Sequence, residues 1–223
     1  MKKSAHKPLI GILGGTFNPI HFGHLRMAQE LSEALNLNKV RFIPSANPPH
    51  KPTPLVTAEH RSAMVKLAIA DNPLFELDDC ELRRTGASYT IDTLQSLREE
   101  LTENVSLVLF MGSDAFTKFN TWHRWQEIID LCHIALVRRP LVANKAPLPN
   151  VLETFLRNHY TEDVNDLQDS STGFVTMQSI TPLDISSTAI RNALQYNHSA
   201  RYLTPNNVLE YIDTHQLYHT TIT

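Results

Sequence analysis

LIGILGGTFNPIHFGHLRMAQELSEAL, residues 9–35, carries three local signals in succession. Leu9 to Leu13 is a short apolar run with β-branched content, the pattern of a buried strand. From His24 to Leu35 the apolar residues recur at helical spacing. Between them stand Gly14, Gly15 and Thr16, where backbone without side chains can approach a ligand closely, and then the turn-favouring pair Asn18-Pro19. A strand, a glycine turn and a helix in this order are the opening unit of an α/β sheet.

The alternation continues along the chain. VRFIP (residues 40–44), VSLVLFMG (105–112) and HIALVRRP (133–140) read as strands, and AEHRSAMVKLAIA (58–70) as a helix. FTKFNTWHRWQEIIDLC (116–132) is expected to be helical around Trp125, Ile128, Ile129 and Leu131. The proline-rich stretch PSANPPHKPTP (44–54) reads as a surface loop, because proline neither donates to a sheet nor continues a helix. Near-continuous apolar strands alternating with amphipathic helices imply a parallel sheet covered on both faces, with ligands at the carboxyl ends of its strands. In the last third, VLETFLRNHY (151–160), STAIRNALQY (187–196) and NNVLEYIDTHQLY (206–218) are mostly helical, with one strand, GFVTMQS (173–179). The expectation is α/β: a Rossmann-like doubly wound parallel sheet with a helical C-terminal extension. It comprises one domain over residues 1–223, with the core over about 1–180 and the extension over about 181–223.

Composition narrows the function classes. Of 223 residues, 42% are hydrophobic and 19% charged, the proportions of an ordinary globular protein. Lys plus Arg is 20 against 23 Asp plus Glu, a formal charge of -3, so bulk electrostatics favours neither nucleic acid nor an anionic membrane. An anion must then be held locally. Cys80 and Cys132 are far apart and outside any C-x-x-C, which indicates two buried thiols instead of a disulfide framework or zinc cluster. The start MKKSAHK is basic, but the following apolar run breaks at glycines and lacks a small-residue cleavage pattern, so a cytoplasmic protein is expected.

His21 and His24, three apart, lie on one face of the first helical turn, with Gly23 keeping that face open. A helix N-terminus attracts phosphate, and imidazole N–H donors placed there add hydrogen bonds to the same anion. A Walker loop would need Gly-Lys-Ser/Thr after its glycines, and a dinucleotide fingerprint would need a different glycine spacing. Zinc binding by H-x-x-H would need a third ligand and usually an i,i+4 pair. The motif therefore favours a polyphosphate ligand. Near the other end, DISSTAIRNAL (184–194) places the capping residues Ser186, Ser187 and Thr188 before a helix. Arg191 falls in or beside its first turn, where the dipole disfavours a cation unless an anion is present. By itself this segment reads as a plain serine cap with a solvated arginine.

Together, H-x-G-H (His21 to His24) and I-S-S-T-x-I-R (Ile185 to Arg191) resemble the signatures of the nucleotidyltransferase superfamily. GGTFNPIHFGHL, PPHK, SYTIDTL, MGSDAF, NTW and ISSTAIR, in this order, look like the bacterial nicotinate-nucleotide adenylyltransferases over almost the whole chain. Members of that family more often carry Asp where Asn18 stands. The resemblance implies transfer of the adenylyl group of ATP to nicotinate mononucleotide, giving the deamido dinucleotide and pyrophosphate in NAD biosynthesis. The attacking phosphate oxygen is already anionic, so positioning and charge stabilisation suffice without a general base. No triad or carboxylate pair is evident in the sequence; Asp78, Asp79 and Glu81 of LDDCELRR (77–84) read as a strand exit with solvated charge.

By motif position, His21, His24 and Arg191 are the implied catalytic residues. Gly14, Gly15, Thr16, Phe17, Ser186 and Ser187 would join them in binding ATP, with Ser187 and Arg191 on the β and γ phosphates. Mg²⁺ would be held mainly by ATP phosphates and water, with no protein ligand. For the acceptor, the implied residues are Lys51 for its 5′-phosphate, Trp122 against the pyridine ring, Tyr89 and Thr90 near its carboxylate, and Asp114 toward ribose. Lys51 is equally readable as a solvated loop lysine, and Trp122 as core. Arg138 and Arg139 would add positive potential. The alternatives are a related transferase acting on nicotinamide mononucleotide or another phosphate acceptor, and a non-catalytic nucleotide-binding module, including an RNA-binding relative of class I tRNA synthetases. The implied partners are small molecules, with no nucleic acid and no membrane; a homodimer is a further expectation.

Overall fold

The apolar runs become strands of one sheet. The computed structural model describes residues 6–48, 54–138 and 147–219. Its strands are β1 (Leu9–Gly15), β2 (Lys39–Pro44), β3 (Phe75–Leu77), β4 (Ser106–Gly112), β5 (His133–Arg138) and β6 (Val175–Ser179), in the order β3-β2-β1-β4-β5-β6. The chain winds outward from β1 to β3, then resumes on the other side of β1 with β4, which makes the sheet doubly wound. β4 pairs in parallel with β1 (Ile10 opposite Leu107) and with β5 (Phe110 opposite Ala135), and β5 with β6 (Leu136 opposite Met177). Gly11 is glycine for a packing reason: a Cβ there would lie 2.4 Å from Cζ of Phe110 and 2.9 Å from Cδ1 of Leu37. Leu107 to Met111 of β4 are all buried, as expected of a strand covered on both faces.

The flanking helices are α1 (Phe22–Ala34), α2 (Ala58–Ile69), α3 (Thr90–Leu101), α4 (Ser113–Phe116), α5 (Ile128–Leu131), α6 (Asn150–His159), α7 (Asp166–Asp169), α8 (Ser187–Gln195) and α9 (Asn206–Thr214). One expectation changes. Residues 116–132 are not one helix but α4, two short 3₁₀ turns (Phe119–Thr121 and Trp125–Glu127) and α5, interrupted by extended Trp122 and by Arg124 at φ 51°. Phe116, Phe119, Trp122 and Trp125 recur every three residues, a spacing that 3₁₀ turns and an α-helix both serve, and packing decides between them. Their rings gather on fully buried Phe119, with Trp122, Trp125 and Phe155 at 5.6, 5.5 and 5.6 Å, all edge-on. The final helix, Asn206–Thr214, takes up most of the segment read as mostly helical and ends before Gln216 and Tyr218, which take left-handed backbone conformations (φ 51° and 64°).

The chain groups into two compact units. One comprises Met1–Leu13, Glu30–Arg41 and Tyr89–Pro182; the other comprises Gly14–Gln29, Phe42–Ser88 and Leu183–Thr223. The C-terminal helices thus share a unit with the glycine turn and do not form a body of their own. In the first unit Arg98 of α3 donates to four carbonyls, those of Leu131 (2.7 Å), Thr102 (3.0 Å), Val105 (2.7 Å) and Ser171 (2.7 Å), closing the loops around β4 and α5. Cys132 is buried and Cys80 half-buried; neither is in a disulfide, and burial pushes both thiols up to about 12. Among the described residues no helix is long and apolar enough to cross a membrane.

His133 sets an acid limit on stability. Fully buried, its Nδ1 accepts from the Phe174 N–H (3.1 Å) and its Nε2 bonds the Ser170 carbonyl (3.1 Å), which requires a neutral ring protonated at Nε2. Burial pulls its pKa down to about 4, with the Ser170 bond opposing. A depressed histidine contributes stability that is complete above the unfolded pKa of ~6.5 and is lost as pH falls toward the folded one, up to roughly 3 kcal/mol. Urea midpoints measured from pH 7.5 to 4 are expected to fall in this window, and His133→Gln should flatten that part of the profile.

Candidate active site

The loop leaving β1 is held by its carbonyls. Gly15 O accepts from the Ser45 N–H (2.9 Å), Thr16 O from Arg61 of α2 (2.6 Å), Asn18 O from Arg191 of α8 (2.8 Å), Pro19 O from the Ser187 hydroxyl (2.9 Å) and Ile20 O from the Thr204 hydroxyl (2.8 Å). In a trans peptide the C=O and the following N–H point opposite ways. With the Thr16 carbonyl held by Arg61, the Phe17 N–H of the same peptide points away from that arginine, where it can donate to an anion. Phe17 takes φ 45°, a left-handed conformation costly for a bulky residue. It is held there by burial of its ring and by the arginine bonds on either side, at Thr16 and Asn18. Asn18-Pro19 is a cis peptide. Tyr218 donates to Asn18 Oδ1 (2.6 Å), tying the end of the chain to the loop. Burial pushes the Tyr218 phenol up, keeping it a donor.

The histidines meet as the spacing requires. His21 lies just before α1 and its carbonyl accepts from the N–H groups of His24 (2.9 Å) and Leu25 (3.3 Å). The two imidazoles stack at 3.8 Å between centroids, 29° from parallel, and His24 also meets the Phe17 ring edge-on at 5.1 Å. His21 is buried and His24 half-buried, so His24 is the more accessible of the pair. The glycines have separate explanations. A Cβ at Gly23 would press to 3.0 Å on Nδ1 of His21, one at Gly15 would meet the Phe17 ring at 3.1 Å, and one at Gly14 would meet nothing within 4 Å. Close approach to a ligand is thus an explanation available for Gly14; Gly15 and Gly23 make room for Phe17 and His21.

Ser186 caps α8, its hydroxyl accepting from the Ala189 N–H (3.1 Å). The Ser187 hydroxyl donates to the Pro19 carbonyl, whereas Ser186 and Thr188 accept in their bonds from Ala189 and Arg191 and keep their hydroxyl protons, and the Ser187 and Thr188 backbone N–H groups open the helix. Arg191 uses one N–H on Asn18 O and one on Thr188 Oγ1 (3.2 Å), and a guanidinium has five. In the other unit, Tyr89 stands just before α3 and Thr90 begins it, the Tyr89 ring lying 4.5 Å from that of His123. Trp122, next to His123, is half-buried with one edge on Phe119, and Asp114 is exposed in α4 directly after β4. Lys51 and Arg139 lie outside the described residues, and Arg138 ends β5.

The charged group after β3 departs from the expectation of solvated charge. Glu81 is buried and the Asp78 side chain is only 10% exposed, while Arg83 pairs with Asp79 (2.8 Å). Among the described residues no group of three or more His, Cys, Asp or Glu is placed to hold a metal ion, so these side chains offer no cage for Mg²⁺. Sequence reasoning missed Arg61, Thr204 and Tyr218. For Arg61 a signal existed: it occupies the same buried face of α2 as Met64, Val65 and Ile69, a charged residue at an apolar position. For Tyr218, 200 residues from Asn18, there was none.

Residues 12–193 match the family described as Cytidylyltransferase-like. The chain is 46% identical over 210 residues to a probable nicotinate-nucleotide adenylyltransferase of Dechloromonas aromatica, covering 94% of this chain and 97% of that one. It is 42% identical over 218 residues to a protein of the same description from Acidithiobacillus ferrooxidans, covering 98% and 99%. Its fold is that of the Plasmodium falciparum nicotinic acid mononucleotide adenylyltransferase complexed with NaAD (TM-score 0.72, 17% identity, 95% of this chain and 97% of that one). The stacked histidines after a tied-back glycine turn, the capped ISSTAIR helix and near-complete alignment with these relatives together place the chain in the nicotinate-nucleotide adenylyltransferase family, within the cytidylyltransferase-like proteins.

Proposed function

We propose that the chain transfers the adenylyl group of ATP to nicotinate mononucleotide, forming nicotinate adenine dinucleotide and pyrophosphate in the cytoplasmic synthesis of NAD. The observation that carries this is the β1 loop, whose carbonyls are tied back beside two stacked imidazoles. An oxygen of the mononucleotide phosphate attacks the α-phosphorus of ATP, a new P–O bond forms, the α–β bridging P–O bond breaks, and pyrophosphate leaves with the electron pair. No proton need be removed from the nucleophile, so this chain's residues bind and stabilise charge. The Gly14 to Phe17 backbone and the His21 and His24 imidazoles take the triphosphate, with His24 nearest the transferring phosphorus. Arg191 and the Ser186–Ser187 helix start hold the departing β and γ phosphates. Mg²⁺ enters with ATP, held mainly by phosphate oxygens and water. Lys51, Tyr89, Thr90, Asp114 and Trp122 serve the acceptor, and a homodimer is the expected assembly.

The test is pyrophosphate release by pure protein with ATP, Mg²⁺ and one acceptor at a time. Nicotinate mononucleotide is expected to exceed nicotinamide mononucleotide and phosphopantetheine in kcat/KM. Equal rates with all three would overturn the substrate assignment, and no release with any would overturn the transferase.

A further inference from the structure

Arg61, a fully buried arginine, stands behind the loop that leaves β1, and among the described residues no carboxylate is bonded to its guanidinium. Arg61, 1% exposed, donates through one terminal nitrogen to Thr16 O (2.6 Å), through the other to Ala46 O (3.3 Å) and through Nε to Val56 O (3.3 Å). Thr16 belongs to the β1 loop, Ala46 to the exit from β2, and Val56 lies just before α2. Ala46 is itself next to a backbone clasp, Ser88 N–H to Asn47 O (2.9 Å) and Asn47 N–H to the Ser88 hydroxyl (3.0 Å). Leaving three carbonyls to one guanidinium in the interior is costly unless geometry is fixed, since a charge desolvated among dipoles is stabilised only while they stay aimed at it.

We infer that Arg61 is a positioning residue for adenylyl transfer, fixing the phosphate loop against the β2 exit and aiming the Phe17 N–H at the ATP phosphates. The inference rests on the reading of the β1 loop as the phosphate site. Two effects follow from its bond to Thr16. It clamps the peptide immediately before left-handed Phe17, so the loop keeps a conformation that the residue alone would abandon. It also polarises the Thr16–Phe17 peptide: a guanidinium on the carbonyl strengthens the N–H at the other end as a donor to anionic oxygen. The cation thereby acts on phosphate through one peptide group without touching it. Lysine cannot replace this arrangement, because a single ammonium cannot span three carbonyls in the plane of the fork.

Arg98 provides the control, a half-buried arginine bonded to four carbonyls in the other unit. Arg61→Lys is expected to lower kcat at least tenfold and to raise the KM for ATP at least threefold, a loss consistent with a reacting group displaced by about an ångström. Arg98→Lys, assayed equally far below its own Tm, is expected to change neither more than twofold. A second measurement uses the unaltered protein: the ¹⁵N-labelled guanidinium Nε–H of Arg61 should shift on addition of a non-hydrolysable ATP analogue with Mg²⁺, and that of Arg98 should not. Parallel kinetics in the two variants overturns the inference, and, if Arg61→Lys does not fold, an unmoved Arg61 resonance does so. Unaltered protein active with nicotinate mononucleotide alongside either result leaves the function standing; inactive unaltered protein overturns both.

Discussion

Replacing His24 with alanine is expected to lower kcat by about 10²–10³-fold, the typical cost of one donor to charge developing in a transition state. The protein should stay folded. His24 is half-buried, its ring contacts are the stacked His21 and the edge of Phe17, and its backbone N–H bond to His21 O survives substitution. A Tm within a few degrees of the parent, with the KM for ATP changed much less than kcat, would mark an interaction made mainly in the transition state. His24→Gln, which retains an N–H donor at similar reach, should recover part of the rate. Unchanged turnover in His24→Ala would remove the histidine pair from the mechanism.

Arg191→Ala is expected to lower kcat/KM for ATP about a hundredfold or more. A charge-assisted hydrogen bond contributes about 1.5–3 kcal/mol, and each 1.4 kcal/mol is tenfold. Two losses combine here: the cation proposed to face the leaving phosphates, and the clamp on Asn18 O that follows Phe17. Arg191→Lys should recover little, since lysine supplies charge without the fork that reaches Asn18 and Thr188 together. Steady-state kinetics against ATP would check this, and a variant within threefold of the parent would sink the phosphate role. The segment Ile185 to Arg191 is then more than a second grip. Ser187 and Arg191 hold Pro19 and Asn18 from 168 and 173 residues away, so the late motif shapes the early one.

What could be read in the sequence was local. The parallel sheet, the strand-turn-helix unit and the pairing of His21 with His24 depend on short apolar runs, on the 3.6-residue helical period and on glycine, all properties of short stretches. The serine cap of α8 is of the same kind, because an N-cap acts three residues ahead, as Ser186 does on Ala189. The break at Trp122 and Arg124 was harder, since helical and 3₁₀ spacings overlap over so short a run and only the packing around Phe119 separates them. The burial of Glu81 escaped because charge density in sequence says nothing of what covers it.

By itself, then, the sequence determined the fold class, the loop with its glycine turn after β1 and the family motifs, because apolar runs, helix periods and the requirements of a glycine turn are written within a few residues. Only the tertiary structure decided how that loop is held. Arg61 on Thr16, Arg191 on Asn18, Tyr218 on the Asn18 amide and Thr204 on Ile20 are bonds to backbone or side-chain oxygens 45 to 200 residues distant. A carbonyl has the same chemistry at every position, so nothing in the residues beside it records which distant donor will reach it.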